Sequence, residues 1–249
     1  ALLGGFTRFN QIQADPWKLV KASQRVEHEF LGVNCGLLDQ IGSQMSVANQ
    51  VLEVDFQSLQ VTPTKYELPG YSWVALHTGK SRELAESAYQ TRVAECKEAL
   101  EKLSAQYSHI ENMRDITTDD IQGDDALAKR IRHVVEENKR VKQALRYIQN
   151  DPENLGRVLN ASHESLRNDY EVSCDELNDM VDIARTHVAC AGARMMGGGF
   201  GGSTLNLVRT NDAQEFVDST LAQYQNRYPN LKTSALIAEL VAGAASVTL

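Results

Sequence analysis

The spacing of apolar residues predicts several amphipathic helices and a few short strands. Apolar positions recur at three- and four-residue intervals over residues 16–30, 81–107, 126–150 and 213–228, which is the periodicity of a helix with one buried face. Apolar and polar residues alternate over residues 51–56, and residues 72–77 and 203–208 also have strand character. Strands followed by runs of helices indicate an α+β fold.

Local start signals support the first of these helices and predict two more. Asp15 and Asp151 each precede a proline, so each predicts an N-cap with proline in the first helical position. The Ser-Cys-Asp-Glu stretch at residues 173–176 matches a capping box. An apolar stripe follows it at Leu177, Met180, Val181 and Ala184.

The same periodicity predicts which positions face inward. We expect Val26 and Phe30 on the buried face of the first helix and Val141 on that of helix 126–150, where Glu136 is spaced to pair with Arg140. Residues 63–70, with two prolines and a glycine, predict a connection. Residues 119–125 are polar and predict a loop, and residues 234–249 predict terminal core structure.

Composition narrows the functional classes. The chain has 249 residues, 42% of them hydrophobic, which is enough for one large or two medium-sized cores. Its formal charge of −8, from 33 acidic and 25 basic residues, offers no basic stripe, so nucleic acid is not an expected partner. No run of 18 apolar residues and no secretory signal is visible, so we expect a cytoplasmic protein with no membrane partner. The four scattered cysteines predict free thiols.

Two short stretches carry the candidate chemistry. The run GGGFGG at residues 197–202 can turn sharply and bring backbone N–H groups close to an anion. Asp39 follows Gly36 closely and could accept a proton from a substrate hydroxyl or orient it. Together the two stretches indicate phosphoryl transfer, although a purely structural glycine turn and a surface carboxylate are the simpler interpretations of each alone.

The sequence does not support either of two common nucleotide-binding motifs. Gly197, Gly199 and Gly202 satisfy GxGxxG, but no apolar strand is evident before them and a strand rather than a helix is predicted after them. The Gly-Lys-Ser/Thr of a P-loop is also missing. A Rossmann site and a P-loop are therefore not expected.

Five segments in order resemble galactokinases, which belong to the GHMP kinases. They are residues 24–40 (QRVEHEFLGVNCGLLDQ), 82–89 (RELAESAY), 133–138 (HVVEEN), 162–174 (SHESLRNDYEVSC) and 193–202 (ARMMGGGFGG). These segments extend over nearly the whole chain. The resemblance implies a GHMP kinase-like, two-domain α+β fold, with residues 1–70 as the remainder of the N-terminal domain and residues 71–249 as the C-terminal domain.

The resemblance also implies an activity and a set of site residues. The activity is transfer of the γ-phosphoryl group of ATP to the C1 hydroxyl of α-D-galactose, with Mg²⁺ as cofactor. Asp39 would act at the sugar hydroxyl, Gly36 and Tyr89 would touch the sugar, and Glu27 would bind Mg²⁺. The glycine loop, with Gly197, Gly198, Gly199, Gly201 and Gly202, would help to shape the nucleotide site.

Departures from the family pattern leave alternatives open. Met196 and Ser203 stand where galactokinases commonly carry Thr and Cys. The family's sugar-recognition segment and main phosphate loop do not occur here, so we expect an incomplete galactokinase whose partner is its own N-terminal segment. An N-acetylgalactosamine kinase, a non-catalytic sugar sensor that regulates transcription, and an inert chain are the other interpretations.

Overall fold

The computed structural model describes residues 2–32, 35–81 and 85–244, with the backbone alone for residues 85–87. The predicted α+β class is confirmed. The helices are α1 (Leu2–Phe9), α2 (Pro16–Glu29), α3 (Leu38–Met45), α4 (Ala85–Gln106), α5 (Ala126–Tyr147), α6 (Pro152–Asn168), α7 (Asp175–Thr186) and α8 (Ala213–Arg227). The strands are β1 (Gln50–Asp55), β2 (Gln60–Lys65), β3 (Tyr71–His77), β4 (Cys190–Met195), β5 (Ser203–Arg209) and β6 (Ser234–Ala238).

The described residues divide into two compact units. The first contains the residues up to Tyr66 together with those from Glu239 onward, and the second contains Glu67–Ala238. The assignment of residues 1–70 and 71–249 to two family domains stays a prediction. The helix predicted over residues 81–107 corresponds to α4. Residues 82–84 of that prediction lie outside the described residues.

The first unit combines α1, α2 and α3 with an antiparallel pair of strands, β1 and β2. Strand β2 overturns the prediction that residues 63–70 form only a connection, because Pro63 lies inside β2 and pairs in register with Leu52. A proline lacks the N–H that a central strand needs, but in a two-stranded sheet every strand has one unpaired edge. Pro63 is therefore compatible with a strand in this sheet.

The second unit is built on a four-stranded antiparallel sheet in the order β4-β5-β3-β6. The apolar stripe predicted for α7 is fully buried, and α7 packs against β4, β5 and α8. Helix α6 approaches β4 unusually closely. A Cβ on Gly156 would lie 2.0 Å from the Ala191 carbonyl oxygen, so glycine is required where this helix crosses the strand.

All three predicted helices are present, and the caps predicted for two of them are confirmed. The Asp15 side chain accepts a hydrogen bond from the Trp17 N–H at 3.0 Å, and Asp151 accepts one from the Asn154 N–H at 3.0 Å. The capping box at residues 173–176 is wrong. Helix α7 begins at Asp175, but its N-cap residue is Cys174, which makes no side-chain capping hydrogen bond, and Ser173 Oγ donates instead to Asn178 Oδ1 at 2.7 Å.

Several predicted burial patterns are wrong. Val26 and Phe30 are exposed, because α2 packs on α3 through the face that carries Val20. Val141 is half exposed on α5. The strand β6 within residues 234–249 is also mostly exposed rather than terminal core, while residues 245–249 lie outside the described part.

The predicted Glu136–Arg140 pair is also wrong. Arg140 Nε donates to Glu137 Oε2 at 2.6 Å, and Glu136 instead pairs with Lys139 at 2.8 Å. Glu137 is the more enclosed carboxylate and also pairs with Arg194 of β4 at 3.2 Å. The inward-facing carboxylate thus attracts Arg140 in place of the solvent-facing one.

Candidate active site

The two candidate carboxylates of the first unit meet in one cavity between α2 and α3. Glu27 of α2 and Asp39 of α3 both line this cavity of about 200 Å³, together with Ser23, Gln40, Ser43 and Gln44. These two carboxylates lie twelve positions apart in the sequence, and the packing of α2 on α3 brings them to the same cavity. The cavity is polar, as a site for a hydroxylated or charged ligand must be.

Asp39 occupies the first turn of α3. Its side chain is exposed, and no hydrogen bond or ion pair to it is found within the described ranges. The amino end of a helix is a favourable place for a negative charge, because the first N–H groups have no intrahelical acceptor. Asp39 is therefore accessible to a ligand in the cavity.

Glu27 is held more tightly than Asp39. Gln40 Nε2 donates to Glu27 Oε1 at 2.8 Å, and Gln40 is itself buried, with its Oε1 atom lacking a partner among the described residues. The same Nε2 approaches Cys35 Sγ at 3.6 Å. Burial, with a smaller contribution from the Glu27 carboxylate, raises the pKa of the Cys35 thiol. Gln40 thus orients one carboxylate of the cavity, a role that the sequence analysis did not assign to it.

The turn ahead of Asp39 is tied to α2. The Cys35 carbonyl oxygen accepts hydrogen bonds from Gln24 Nε2 at 3.0 Å and His28 Nε2 at 2.9 Å. Gly36 follows; it has no positive φ, and a Cβ there would meet none of the described atoms within 4 Å. The fold therefore does not require glycine at position 36, whereas close approach of a ligand to the backbone would.

The glycine loop of the second unit joins β4 to β5 through residues 196–202. A strand therefore precedes the loop, contrary to the sequence analysis. Because β4 and β5 are antiparallel neighbours, the loop closes a hairpin and does not lead into a helix. The dinucleotide fingerprint needs a strand, a turn and then a helix, so its exclusion stands for this corrected reason.

In one half of this loop, the glycines pack closely against other segments of the chain. A Cβ on Gly199 would lie 2.0 Å from the Val172 carbonyl oxygen, and one on Gly201 would lie 2.9 Å from that of Lys80. Both glycines are buried and have positive φ values, of 86° and 140°. These two glycines are thus required by the structure of the loop itself.

Two loop amides also bond to the protein. The Phe200 N–H donates to the Val172 carbonyl at 2.8 Å, and the Gly202 N–H donates to that of Lys80 at 3.2 Å. The Gly202 carbonyl accepts from Thr78 through both its N–H and its hydroxyl, at 2.9 and 2.8 Å. The amides of Phe200 and Gly202 are therefore already used. The sequence analysis missed these partners, which lie far from the loop along the chain.

The other half of the loop faces outward. Met196, Gly197 and Gly198 are exposed. Gly198 has no positive φ, and a Cβ there would meet no atom within 4 Å. Neither strain nor packing explains glycine at this position, so it is the best candidate in the loop for a backbone contact with a ligand.

Tyr89 lies near the start of the described part of α4, and its side chain is 39% exposed. It belongs to the same unit as the glycine loop, whereas Glu27, Gly36 and Asp39 belong to the other unit.

The described residues contain no cluster of three or more His, Cys, Asp or Glu side chains suited to a metal. A cation at Glu27 would thus depend on few protein ligands. The cysteines are free, as predicted. No helix in the described ranges has the length and apolar character needed to cross a membrane.

Comparison with known proteins identifies the relatives of this chain. Residues 135–226 match the family "GHMP kinases C terminal". Galactokinases are similar over most of the chain. That of Limosilactobacillus reuteri is 35% identical over 87% of this chain and 57% of its own length, and that of Enterococcus faecalis is 38% identical over 84% and 56%. The chain therefore spans a little more than half the length of these relatives.

Solved structures give the same relationship. The Lactococcus lactis galactokinase, solved in complex with galactose, has a TM-score of 0.89 and 31% identity, covering 97% of this chain and 64% of its own. A mevalonate kinase from L. major, at 16% identity and a TM-score of 0.58 over 95% of this chain and 63% of its own, shares the fold. These similarities confirm the resemblance found in the sequence. The chain is a partial-length relative of galactokinases, and its residues 135–226 match the C-terminal part of the GHMP kinases.

Proposed function

We propose that this chain is the C-terminal portion of a cytoplasmic galactokinase, which phosphorylates the C1 hydroxyl of α-D-galactose with ATP to form galactose 1-phosphate. The observation that carries the proposal is the shared cavity of Glu27 and Asp39, in a chain similar to galactokinases over most of its length. The similar Lactococcus lactis structure holds galactose, and the proposal extends that substrate to this chain.

Asp39 is the proposed group at the sugar hydroxyl. Its carboxylate accepts the proton of the C1 hydroxyl, or orients that hydroxyl, as the sugar oxygen bonds to the γ-phosphorus and the bond to ADP breaks. The exposed position of Asp39 in the cavity supports this role. Gly36 supports it as well, since an open backbone position beside the cavity residues allows close approach of a sugar.

Glu27 is the proposed protein ligand of Mg²⁺. The ion commonly binds through one or two carboxylates together with substrate phosphates and water, so a site with few protein ligands suits it. The oxygen-rich cavity and the carboxylate held by Gln40 fit a hard cation. When bound, Mg²⁺ supplies positive charge that offsets the charge of the transferred phosphate.

The remaining roles belong to the second unit. The outward half of the glycine loop, with Gly197 and Gly198, is proposed to line the nucleotide site through its backbone, while Gly199, Gly201 and Gly202 hold the loop in shape. Tyr89, whose side chain is accessible on α4, is proposed to contact the sugar.

The experiment measures phosphorylation in two preparations. The first is the 249-residue chain alone. The second, called here the assembled enzyme, is the same chain joined to a galactokinase N-terminal segment with the main phosphate loop, taken from the upstream coding sequence or from the Lactococcus lactis protein. ADP release is followed with galactose or N-acetylgalactosamine, and the product is identified by mass and by phosphorus NMR.

We expect galactose-dependent ADP release from the assembled enzyme and none from the chain alone. Asp39 and the glycine loop cannot by themselves align sugar, Mg²⁺ and ATP for in-line transfer. Activity of the chain alone would show that the proposed assignment of the catalytic residues is wrong, because transfer would not need the N-terminal segment. Preference for N-acetylgalactosamine would favour the alternative kinase, and sugar and ATP binding without turnover would favour the sensor.

A further inference from the structure

Val172 is the contact outside the glycine loop that holds Gly199 and Phe200 in its buried half. The Val172 carbonyl oxygen accepts the Phe200 N–H at 2.8 Å and would lie only 2.0 Å from a Cβ on Gly199. Phe200 also packs against the cluster of buried residues to which Val172 belongs. A shift of Val172 would therefore move or release the loop.

The turn that leads into Val172 is held by two arginine side chains. Arg92 Nε donates to the Tyr170 carbonyl at 2.8 Å, and Arg92 Nη2 donates to that of Glu171 at 3.2 Å. Arg130 Nη1 donates to the carbonyl of Asp169 at 2.5 Å. Three successive backbone carbonyls are thus bonded to guanidinium groups from α4 and α5.

This turn needs such support. Glu171 has a φ of 53°, a left-handed conformation that is unfavourable for a residue other than glycine. Hydrogen bonds from charged donors are stronger than those between neutral groups. The guanidinium groups therefore offset the strain of the turn.

The two arginines are themselves fixed by a shared acid. Glu95 Oε2 pairs with Arg92 Nη1 at 3.1 Å and with Arg130 Nε at 2.6 Å. Arg130 is 2% exposed and also pairs with Glu171, so its replacement would break the contacts to Glu95, Glu171 and the Asp169 carbonyl at one buried point. Arg92 is the safer residue to replace, because Glu95 would still form its ion pair with Arg130.

Arg92 follows Tyr89 by three residues on α4, so the two side chains are neighbours on the helix surface. We propose that Arg92 is a positioning residue, which couples the part of α4 that carries the sugar-contacting Tyr89 to the glycine loop through the 169–172 turn. The proposal rests on the function proposed above for its effect on catalysis. The mechanical coupling itself is independent of that function.

Hydrogen–deuterium exchange of the 249-residue chain tests the coupling. Three variants are compared with the parent chain: Arg92→Met, the conservative Arg92→Lys, and Arg157→Met as a matched control. Arg157 is exposed on α6, and among the described residues its side chain interacts only locally, with Asn154 through a hydrogen bond and with the charge of Asp151. Exchange is measured in peptides from residues 169–173, from residues 196–203 and from strand β3.

We expect Arg92→Met to speed exchange about tenfold in residues 169–173 and 196–203 while β3 stays protected, because two charge-assisted hydrogen bonds are lost at one point. Arg92→Lys should give an intermediate effect, and Arg157→Met none. Unchanged exchange at residues 196–203 in Arg92→Met would overturn the proposal. An equal increase in β3 would also overturn it, since that result would show general destabilisation.

Kinetics of the assembled enzyme give the functional result. Arg92→Met should lower kcat/KM for ATP about tenfold, with partial recovery in Arg92→Lys, while Arg157→Met stays at the parent value. A loosened loop with unchanged kcat/KM would overturn the catalytic part of the proposal. If the parent enzyme fails to phosphorylate galactose, the proposed function fails, and the exchange result still decides whether Arg92 positions the loop.

Discussion

At the scale of single residues, the structure separates groups that are free to react from groups that hold others in place. Asp39 is exposed in its cavity, whereas Glu27 is bonded to the buried Gln40. This difference fits a carboxylate that exchanges a proton with a ligand beside one that keeps a fixed position for a cation. Each carboxylate can be tested by the loss of its charge alone.

Asp39→Asn in the assembled enzyme should lower kcat roughly 10²–10⁴-fold, because the amide keeps the shape but cannot accept the sugar's proton. ATP binding should be retained, since Asp39 is assigned to the sugar. Steady-state kinetics and isothermal titration calorimetry measure the two effects. Glu53→Gln, at an exposed position of β1, is the control and should keep parent activity. Parent-like turnover of Asp39→Asn would remove Asp39 from the mechanism.

Glu27→Gln should raise the Mg²⁺ concentration needed for half-maximal activity of the assembled enzyme, because a neutral amide is a poorer ligand for a hard cation. Titration of Mg²⁺ at saturating ATP and galactose measures the change. Glu53→Gln serves again as the matched loss of a carboxylate. An unchanged titration would assign Glu27 to the packing of α2 on α3 through Gln40.

At the scale of secondary-structure elements, the β4–β5 loop shows how one glycine-rich run can have two roles. Gly199 and Gly201 have positive φ values and leave no room for a side chain, so the hairpin needs them. Gly198 has no positive φ, and the described structure leaves room for a side chain there. Adjacent glycines in one loop therefore differ in what a methyl group would do.

Gly199→Ala should lower the free energy of unfolding by more than about 2 kcal/mol, because the backbone must shift to separate the new Cβ from the Val172 carbonyl. Gly198→Ala should change it by less than about 1 kcal/mol. It should nevertheless weaken ATP binding by the assembled enzyme about tenfold, or about 1.4 kcal/mol. Urea denaturation and calorimetry measure the two quantities. Parent-like ATP affinity in Gly198→Ala would remove Gly198 from the nucleotide site.

At the scale of the whole molecule, two buried histidines link stability to pH. Burial lowers the pKa of both His133 and His163 from 6.5 to about 4. His163 Nδ1 accepts the Met195 N–H at 3.2 Å, immediately before the glycine loop, and His133 contacts Ser165 Oγ at 3.0 Å. Protonation would charge both rings inside the second unit.

The free energy of unfolding should therefore fall as the pH is lowered from 6.5 towards 4. In this window the unfolded chain binds protons that the folded chain does not, so the stability present above pH 6.5 is progressively lost, by on the order of 3 kcal/mol per histidine. Urea denaturation at pH 7, 5.5 and 4.5 measures the loss. The double variant His133→Gln, His163→Gln should show a shallower dependence on pH. An identical dependence in that variant would assign the effect to carboxylates such as Glu137.

Signals confined to neighbouring residues were enough to predict much of this molecule. The proline-linked caps at Asp15 and Asp151 and the apolar stripe of α7 depend on contacts within one helix or on its buried face, so they can be identified in the sequence. Asp39 and the glycine run could be selected in the same way, because they lie in short segments of recognisable composition, whereas the roles given to Glu27, Gly36 and Tyr89 came from the resemblance to galactokinases. The α+β class followed from the order of these local patterns.

Tertiary structure decided the partners of those residues. Only the packing of α2 on α3 placed Glu27 and Asp39 in one cavity, and only the meeting of the loop with Val172 separated Gly199 from Gly198. The failed predictions have the same origin, since the side chain that Arg140 pairs with depends on the enclosure of Glu137 by β4 and α6. Periodicity and caps act between residues close in the chain. Cavities, buried charge pairs and close backbone contacts form only where distant segments meet.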